Sequence, residues 1–535
     1  RLPVAQAMGD ACVNVTRYCE AQCEFSCFEK DLKEIVSVCC ADECEQVCDT
    51  VPVHKIVLST TILSCCLLIL ARGRWPIFPV GRALGACVCA VFMWLFGVVG
   101  KDCLNQPGVI DVDTIATLLG LTILTGVMKE RGMLAQMVEL LQYRCSGPKS
   151  LLVRTGGMTA IIAAFFTNDA AVLVLTEPVL QMAIDFGVSL EAFALCLACN
   201  SNIGSALTLI GNPQNILIAS YSGIPFVRFM MKVAPAVFAS LAFNTIALLT
   251  FYFSALRPNI QPEGPPPNAV LLEDAGGSSA PQDDDHPVAR ATMDSMDCDN
   301  GSEPSYQVKA TSPFGKGVDL VKRNADSVNT AILCIVLLGL VVGVCVPGGA
   351  IAWVVLACAG VLTITEAFGG GTRREPVAIL RFIDGPLLML FAGLFVVMAG
   401  ARAAKIPEHI ENIVSSVGWE VYPDFSSPVN VVMYTCFVAF LSQLCSNVPS
   451  VMLLADPLLQ LDDDDPDKEL GFILLSFSAT VAGNLTLIGS IANLIVAEKG
   501  RLVGYDLTFG RHIMFGAPST IIVTIVGSLI VWILY

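Results

Sequence analysis

"LTLIGNPQNILIA", from Leu207 to Ala219, and "LTLIGSIANLIVA", from Leu485 to Ala497, are two copies of one segment in the same chain. The second copy begins 278 residues after the first, at position 485 against position 207. Both copies are apolar at their ends and carry glycine, asparagine and other small polar residues in the middle. This pattern predicts a helix that is broken inside a membrane, which is tolerated only where the backbone faces protein or a water-filled cavity. The stretch "NSNIGS" (200–205) just before the first copy is expected to interrupt the helix as well.

The composition is that of a membrane protein with many spans. Of the 535 residues, 54% are hydrophobic and only 15% are charged, whereas soluble domains are about 25% charged. Apolar windows long enough to span, such as 54–71, 233–256 and 519–535, recur along the chain. Hydrocarbon offers no water to backbone groups, so each span must be a helix. The short alternating strands of an outer-membrane barrel are missing from the sequence.

A second pair of matching segments accompanies the first. "TNDAAVLVLTEPVL" (Thr167 to Leu180) corresponds to "SNVPSVMLLADPLL" (Ser446 to Leu459), 279 residues further on. Each segment joins two apolar pieces that are too short to cross the membrane twice, which predicts a re-entrant helical hairpin. Because hairpin and broken helix recur in the same order, the chain contains an internal repeat.

These patterns predict an all-α polytopic membrane protein of about ten spans, built from two inverted repeats that each contain a re-entrant hairpin and a broken helix. Residues 257–326 are rich in Pro, Gly, Ser and acid and too poor in apolar residues to fold, so we expect a disordered linker. The expected organisation is a cysteine-rich extracytoplasmic head (1–52), a first transmembrane repeat (53–256), the acidic cytoplasmic linker (257–326) and a second transmembrane repeat (327–535).

The distribution of Lys and Arg predicts the orientation of the repeats. Basic clusters follow the first span, the third span and the second broken helix, and a fourth cluster precedes the span at 384–401. Counting crossings puts all four clusters on the cytoplasmic side, and the head and the C-terminus outside. Inverted repeats with paired broken helices are typical of secondary transporters, whose site lies at the repeat interface near mid-membrane. We expect residence in the plasma membrane rather than an internal one.

The N-terminal head concentrates cysteines at helical spacing. Two sets are spaced by four residues, so each set lies on one helix face, which favours disulfides between two helices in an oxidising compartment. A thiol site for a soft metal or arsenic(III) is the alternative, and the pairing is not deducible. The sequon "NVT" at Asn14 predicts glycosylation on the same side. The candidates are Cys12, Cys19, Cys23, Cys27, Cys39, Cys40, Cys44 and Cys48.

The hairpin tips and broken helices supply the candidate binding residues. Broken helices leave N–H groups at one half-helix start and C=O groups at the other end, and amide and hydroxyl side chains add neutral donors and acceptors. Such a set suits a small polar solute or a weakly held ion; the alternative is that these small residues only permit close helix packing. The candidates are Thr167, Asn168, Asn202, Gly204, Ser205, Thr208, Gly211, Asn212 and Asn215 in the first repeat, and Ser446, Asn447, Gly483, Asn484, Thr486, Gly489, Ser490 and Asn493 in the second.

Asp169 is the acidic residue at the first tip. A charged side chain at mid-membrane costs about 2.5–3.5 kcal/mol on insertion scales, and such residues usually mark ion or proton pathways. Burial without a nearby cation favours the protonated form, so Asp169 could take and release a proton; alternatively it caps the second hairpin helix. The matching position is Val448, so symmetry does not require the acid. Glu177 and Asp456, each before a proline, are a second, lower-ranked pair for proton handling.

The segments "FFTNDAAVLVLTEPVL", "SNIGSALTLIGNPQNILIA", "SNVPSVMLLADPLL" and "ATVAGNLTLIGSIANLIVAEKG" together resemble the ion-transporter superfamily with its citrate-transporter-like domain, particularly arsenite permeases and plant silicon-efflux transporters. The resemblance implies a scaffold domain and a mobile transport domain, often dimeric, working by alternating access. It also implies proton-coupled efflux of silicic acid or arsenite. Sodium-coupled relatives bind sodium at tips equivalent to Asn168 and Asn447. Val448 offers no hydroxyl or acid there, which argues against a second sodium site.

The expected function is therefore proton-coupled efflux of a small metalloid hydroxide. A sodium/proton antiporter or a sodium-coupled carboxylate transporter is the alternative within the same class. A cysteine-rich surface receptor or adhesion protein with an inactive membrane domain is the alternative from another class. The expected partners are a small inorganic solute, the lipid bilayer and a second copy of the chain, with a proton or sodium as coupling ion.

Other function classes have little support in the sequence. The four histidines, His54, His286, His409 and His512, are dispersed without metal-ligand spacing, and no glycine-rich phosphate loop follows a strand, so we expect neither an enzyme nor a resident cofactor or metal. Without a basic stripe or zinc-finger spacing, nucleic acid is not an expected partner.

Overall fold

The computed structural model describes residues 51–72, 81–100, 109–131, 137–257 except 139, 142 and 144, 331–346, 350–368, 381–407, 409 and 425–535 except 463. Within these ranges the regular elements are helices, and no strand occurs. The cysteine candidates, the sequon and nearly all of the acidic linker lie outside the described residues.

The first half of the chain contributes eight helices that are used below. They are α1 (Val53–Arg72), α2 (Arg82–Leu95), α3 (Val112–Glu130), α4 (Pro148–Phe166), α5 (Asn168–Asp185), α6 (Leu190–Ser205), α7 (Pro213–Ser222) and α8 (Phe226–Phe251). The second half contributes a corresponding series. They are α9 (Ala331–Cys345), α10 (Ile351–Phe368), α11 (Gly385–Ala403), α12 (Pro428–Cys445), α13 (Asn447–Leu459), α14 (Pro466–Ala482), α15 (Ile491–Leu502) and α16 (Phe509–Leu534).

The helix lengths match the predicted membrane topology. Seven of the described helices are long and apolar enough to cross a membrane, and two of these, α4 and α12, are first arms of the hairpins. The shorter apolar helices α2, α9 and α10 and the pairs α6/α7 and α14/α15 make the other crossings. Each half then crosses an odd number of times, so the halves have opposite orientation. The predicted all-α fold of two repeats is confirmed.

Each hairpin turns on a single residue. Thr167 separates α4 from α5 with φ 87°, and Ser446 separates α12 from α13 with φ 71°. A positive φ is unusual for residues other than glycine, and for a β-branched threonine it is a clear outlier. The chain accepts this backbone because one residue must reverse its direction while the two arms of each hairpin pack against each other.

The break in the first repeat is shorter than the sequence predicts. "NSNIGS" was expected to interrupt the helix, but α6 continues through it to Ser205, and only residues 206–212 are non-helical. The hydroxyls of Ser201 and Ser205 donate to carbonyls within α6, of Ala198 at 2.8 Å and Asn202 at 2.9 Å, so these side chains are accommodated inside the helix. In the second repeat, residues 483–490 separate α14 from α15.

Helices of one repeat pack against helices of the other across the repeat interface. The second arm of each hairpin packs on the second half of the other repeat's broken helix: α5 on α15, and α13 on α7. Helices α8 and α16 pack against each other beside them. A second group pairs α2 with α11 and α3 with α10; a Cβ at Gly393 of α11 would lie only 2.8 Å from the carbonyl carbon of Ala86 in α2. Both break loops are therefore enclosed by elements of both repeats.

Candidate transport site

Asn202 is the centre of a buried network that joins the two repeats. Its Oδ1 accepts from Asn168 Nδ2 at 2.8 Å and from Ser490 Oγ at 2.9 Å. Its Nδ2 donates to Asn484 Oδ1 at 2.7 Å and to Asn493 Oδ1 at 3.2 Å. All five side chains are buried. One asparagine thus connects the first hairpin tip to the broken helix of the second repeat.

Asn215 holds the first break together and ties it to the second repeat. Its Nδ2 donates to the carbonyls of Ser205 and Thr208, both at 3.0 Å. These carbonyls belong to the end of α6 and the loop after it, where helix termini leave acceptors unpaired. Its Oδ1 accepts from the hydroxyls of Ser476 and Thr480 in α14, both at 2.9 Å. The side chain therefore braces its own break against the other repeat.

Asn493, 278 residues further on, repeats this arrangement. Its Nδ2 donates to the carbonyls of Gly483 at 2.8 Å and Thr486 at 3.1 Å. Its Oδ1 accepts from Asn202, which lies on α6 of the first repeat. Asn215 and Asn493 therefore form a reciprocal brace, in which each break is closed by its own asparagine and anchored to the opposite repeat.

Three predicted glycines serve close packing. A Cβ at Gly204 would lie 2.3 Å from the Cα of Ala160, because α6 and α4 touch there. A Cβ at Gly211 would lie 2.2 Å from a carbonyl oxygen at the end of α6, and one at Gly489 would lie 2.9 Å from a carbonyl oxygen of the second break. Close packing is therefore one reason for glycine at these positions, and a role of their backbone in binding stays a prediction.

Gln443 belongs to the site but was not predicted from the sequence. From α12, its Nε2 donates to the carbonyl of Ala482 at 2.7 Å, and its Oε1 accepts from Thr486 Oγ1 at 2.8 Å. The equivalent residue in the first repeat is Ala164, whose carbonyl accepts from Thr208 Oγ1. The second hairpin reaches its break through a side chain, whereas the first reaches it through the backbone.

Three buried oxygens at the hairpin tips lack hydrogen-bond partners among the described residues: Asn168 Oδ1, Asp169 Oδ1 and Asn447 Oδ1. Asn168 is 3% exposed and Asn447 is 8% exposed. Because Asn168 uses its amide nitrogen on Asn202, its oxygen is the atom that remains. Buried polar atoms are normally paired, so the tips present acceptor oxygens that a bound ligand can satisfy.

Asp169 has charged neighbours that are distant in sequence. Arg82, the first residue of α2, and Asp384, which caps α11, both act electrostatically on its carboxylate. The cap of α5 is Thr167, whose Oγ1 accepts from the backbone N–H of Ala170 at 3.4 Å. The alternative in which Asp169 caps α5 is therefore wrong, because the threonine already occupies that position.

Glu177 and Asp456 lie in ion pairs instead of the asparagine network. Glu177 of α5 pairs with Lys499 of α15 at 3.2 Å. Asp456 of α13 makes two contacts with Arg402 of α11, at 2.8 and 2.9 Å. Each pair connects helices that are far apart in sequence, and a role of either acid in proton handling stays a prediction.

His512 contacts the second break from α16. It is fully buried, and its Nε2 lies 3.0 Å from the carbonyl oxygen of Asn484. The sequence contains a clue to this position: "VRFMMKVAPA" at 227–236 matches "GRHIMFGAPS" at 510–519, and Phe229 stands where the second copy has His512. A polar residue at a position that is apolar in the other copy indicates a local partner.

The sequence matches the family described as Citrate transporter, CitMHS, over residues 66–468. This chain belongs to the CitMHS family. The silicon efflux transporter LSI3 of Oryza sativa subsp. japonica is 31% identical, over 88% of this chain and 97% of the relative. A Dictyostelium discoideum protein named as transporter arsB is 26% identical, over 85% and 87% of the two chains.

Among solved structures, the Alcanivorax borkumensis YdaH transporter matches with a TM-score of 0.42 and 13% identity, over 90% of this chain and 98% of that one. From its family and its spanning helices, this CitMHS protein is an integral multi-pass membrane protein and a secondary transporter, not an enzyme.

Proposed function

We propose that this CitMHS protein exports a small uncharged metalloid hydroxide, silicic acid or arsenite, in exchange for protons. The observation that supports this most strongly is the set of unpartnered acceptor oxygens on Asn168, Asp169 and Asn447. A neutral hydroxide presents O–H donors in several directions, and acceptor-only atoms are complementary to them. The rice relative named as a silicon efflux transporter and the relative named arsB agree with this solute class.

Citrate fits these atoms poorly, although the family carries its name. A carboxylate brings acceptor oxygens, which would face other acceptors at the tips and leave both unpaired, at about 1–3 kcal/mol for each group. The asparagine network itself, made of Asn168, Asn202, Asn484, Ser490 and Asn493, contains no cation to offset the negative charge. A neutral solute avoids both penalties.

Sodium is the second candidate because the same amide oxygens suit it. Transporters bind sodium with carbonyl oxygens where helices are unwound. Asn168, whose backbone N–H bonds the Gly211 carbonyl, places its side-chain oxygen beside the first break, and Asn447 has a similar unpartnered oxygen at the second tip. Sodium/proton exchange or sodium-coupled carboxylate uptake would use that coordination. Val448 next to the second tip adds no oxygen, so we favour the proton-coupled function.

Asp169 is the proposed proton carrier. It lies on α5 of the hairpin, whereas Arg82 and Asp384 begin α2 and α11 in the other group of helices. Movement of one helix group relative to the other changes the charges that Asp169 faces, and with them the ease of gaining or losing a proton. Proton binding would thereby be coupled to the position of the hairpin that carries the solute.

The test is transport into proteoliposomes with pH and sodium gradients imposed separately. We expect silicic acid or arsenite to move in response to a pH gradient without sodium, and citrate not to move. A sodium requirement without any pH dependence, or citrate transport in place of the hydroxides, contradicts the proposal.

Two variants connect this function to the tip oxygens. We expect Asn168→Ala and Asn447→Ala each to raise KM for the solute about tenfold, the loss of roughly one buried hydrogen bond. Asn244→Ala is the matched control, since Asn244 is equally buried but already bonds Asn200 and Ser519, each at 2.8 Å. An equal rise in KM in the control would mean that the effect is structural.

A further inference from the structure

A groove lies between the start of α4 and the end of α8, away from the transport site. Its volume is about 590 Å³, and it is lined by Lys149, Ser150, Val153 and Arg154 from the α4 side. Leu249, Thr250 and Phe253 line it from the α8 side. Both helices are long and apolar enough to span a membrane, so the groove opens where their apolar sides meet the bilayer surface.

The upper part of the groove is positively charged. Lys149 Nζ lies 3.8 Å from the centre of the Phe253 ring, and the guanidinium carbon of Arg257 lies 5.1 Å from the same centre. Arg154 is held in the wall by the backbone carbonyls of Leu141 and Tyr143. Two cations therefore lie against one aromatic ring, Arg154 is a third cation in the groove wall, and no carboxylate is among the lining residues.

The lower part of the groove is apolar and open. Val153, four residues along α4 from Lys149, is 48% exposed, and Leu249, four residues before Phe253, also lines the groove. Apolar side chains one turn away from the cations match the two parts of a phospholipid, a charged headgroup above an acyl chain. The predicted orientation puts this end of both helices on the cytoplasmic side, where membranes carry their anionic lipids.

We propose that this groove binds one anionic phospholipid. The phosphate lies between Lys149 and Arg257, the two cations beside Phe253, with the Ser150 hydroxyl as a further donor, and an acyl chain follows Val153 and Leu249. A free phosphate ion would use only the upper half of the groove and leave its apolar wall uncovered. The site is separate from the solute-binding residues and does not depend on which solute is transported.

The test measures lipid retention by native mass spectrometry on protein from nanodiscs containing phosphatidylglycerol and phosphatidylcholine. We expect wild type to retain phosphatidylglycerol selectively, and the double variant Lys149→Gln, Arg257→Gln to bind it about 30-fold more weakly, since each cation near a membrane surface contributes about fivefold. The matched control is Lys232→Gln at the other end of α8, where Lys232 also lies over an aromatic ring, 4.5 Å from the centre of Tyr535. The control should retain the lipid like wild type.

Three results would overturn the proposal. One is equal retention of phosphatidylglycerol by wild type and the double variant. Another is an equal loss in Lys232→Gln, which would indicate general surface charge. The third is full displacement of the lipid by inorganic phosphate at millimolar concentration, which would indicate a free-anion site. Solute counterflow in pure phosphatidylcholine vesicles verifies that the double variant is folded.

Discussion

Thr167 and Ser446 turn the two hairpins with the same left-handed backbone, yet the chemistry beside them differs. After the asparagine of each tip, the first repeat has Asp169, with an unpartnered oxygen, and the second has Val448, which packs against the apolar core. The shared backbone shows that duplication preserved the geometry of both tips. The difference places a titratable group in only one of them, and for this reason the proposed proton carrier belongs to the first half.

The ion pairs on the second arms of the hairpins differ in a similar way. Asp456 and Arg402 are 16% and 25% exposed and make two contacts, whereas Glu177 and Lys499 are 55% and 28% exposed and make one. The pair in the second half also joins two groups of helices, since Arg402 belongs to α11 and Asp456 to α13. The matching acids therefore form a mostly buried ion pair in the second half, at Asp456, and an exposed ion pair in the first half, at Glu177.

The largest expected effect comes from removing the titratable carboxyl group of the first tip. Asp169→Asn keeps the size of the side chain but cannot exchange a proton, so we expect uptake driven by a pH gradient to be abolished while solute counterflow persists. Both are measured in proteoliposomes. Asp185→Asn is the control and should keep its pH response, because Asp185 is an exposed acid at the end of the same helix, α5. Full pH-driven uptake by Asp169→Asn would refute the role assigned to this carboxylate.

The reciprocal brace predicts large and similar losses of stability in the two halves. Asn215→Ala and Asn493→Ala each leave break carbonyls and partners from the other repeat unpaired, so we expect the free energy of unfolding to fall by about 2–4 kcal/mol. Denaturant titration in micelles measures it.

The control for the brace is Gln181→Ala. Gln181 is exposed, and its side chain bonds Asp185 on the same helix at 3.3 Å; surface changes of this kind stay within about 0.5 kcal/mol. If Asn215→Ala or Asn493→Ala is as harmless as this control, the two breaks are not held by their asparagines.

The two ion pairs predict a smaller, unequal effect. Arg402→Gln removes the cation that makes two contacts with the mostly buried Asp456 and should destabilise the protein by about 1–3 kcal/mol. Lys499→Gln removes an exposed partner and should cost under about 0.5 kcal/mol. Thermal unfolding compares them. The double variant Arg402→Gln, Asp456→Asn should recover part of the loss, and an absence of recovery would show that the pair itself is not responsible.

His512 offers the smallest and most specific test. His512→Leu removes the donor to the Asn484 carbonyl and should lower stability by about 1–2 kcal/mol. His512→Gln can keep a donor near the same place and should restore most of it, in thermal unfolding and in solute KM. Equal behaviour of the two variants would mean that the imidazole only fills space. Phe229→Leu, at the matching position of the first repeat, is the control for lost ring volume.

Much of the fold could be predicted because its causes are local. A run of apolar residues sets the length of a spanning helix wherever it lies in the chain, so the second hairpin, expected around "SNVPSVMLLADPLL" (446–459), appears as α12 and α13. The expected interruption at "NSNIGS" failed for a non-local reason. Asparagine and serine usually disfavour a helix interior, but Asn202 has buried partners from the other repeat that hold it there.

The candidate site was predictable only where the repeat marked it. The matched segments pointed to Asn215 and Asn493. Arg82 and Asp384 lie far along the chain from Asp169, the tip residue on which they act, so the sequence did not point to them. The residue that corresponds to Gln443 in the first repeat is Ala164, so the comparison of repeats gave no reason to choose Gln443.

The sequence by itself determined that this chain crosses a membrane many times as two related halves, because hydrophobic length and repeated letters are properties of short segments. Only the tertiary structure decided which polar groups pair across the halves and which oxygens remain without partners. Hydrogen bonds act over about 3 Å, and the residues that make them here are brought together by helix packing from positions as far apart as 202 and 493.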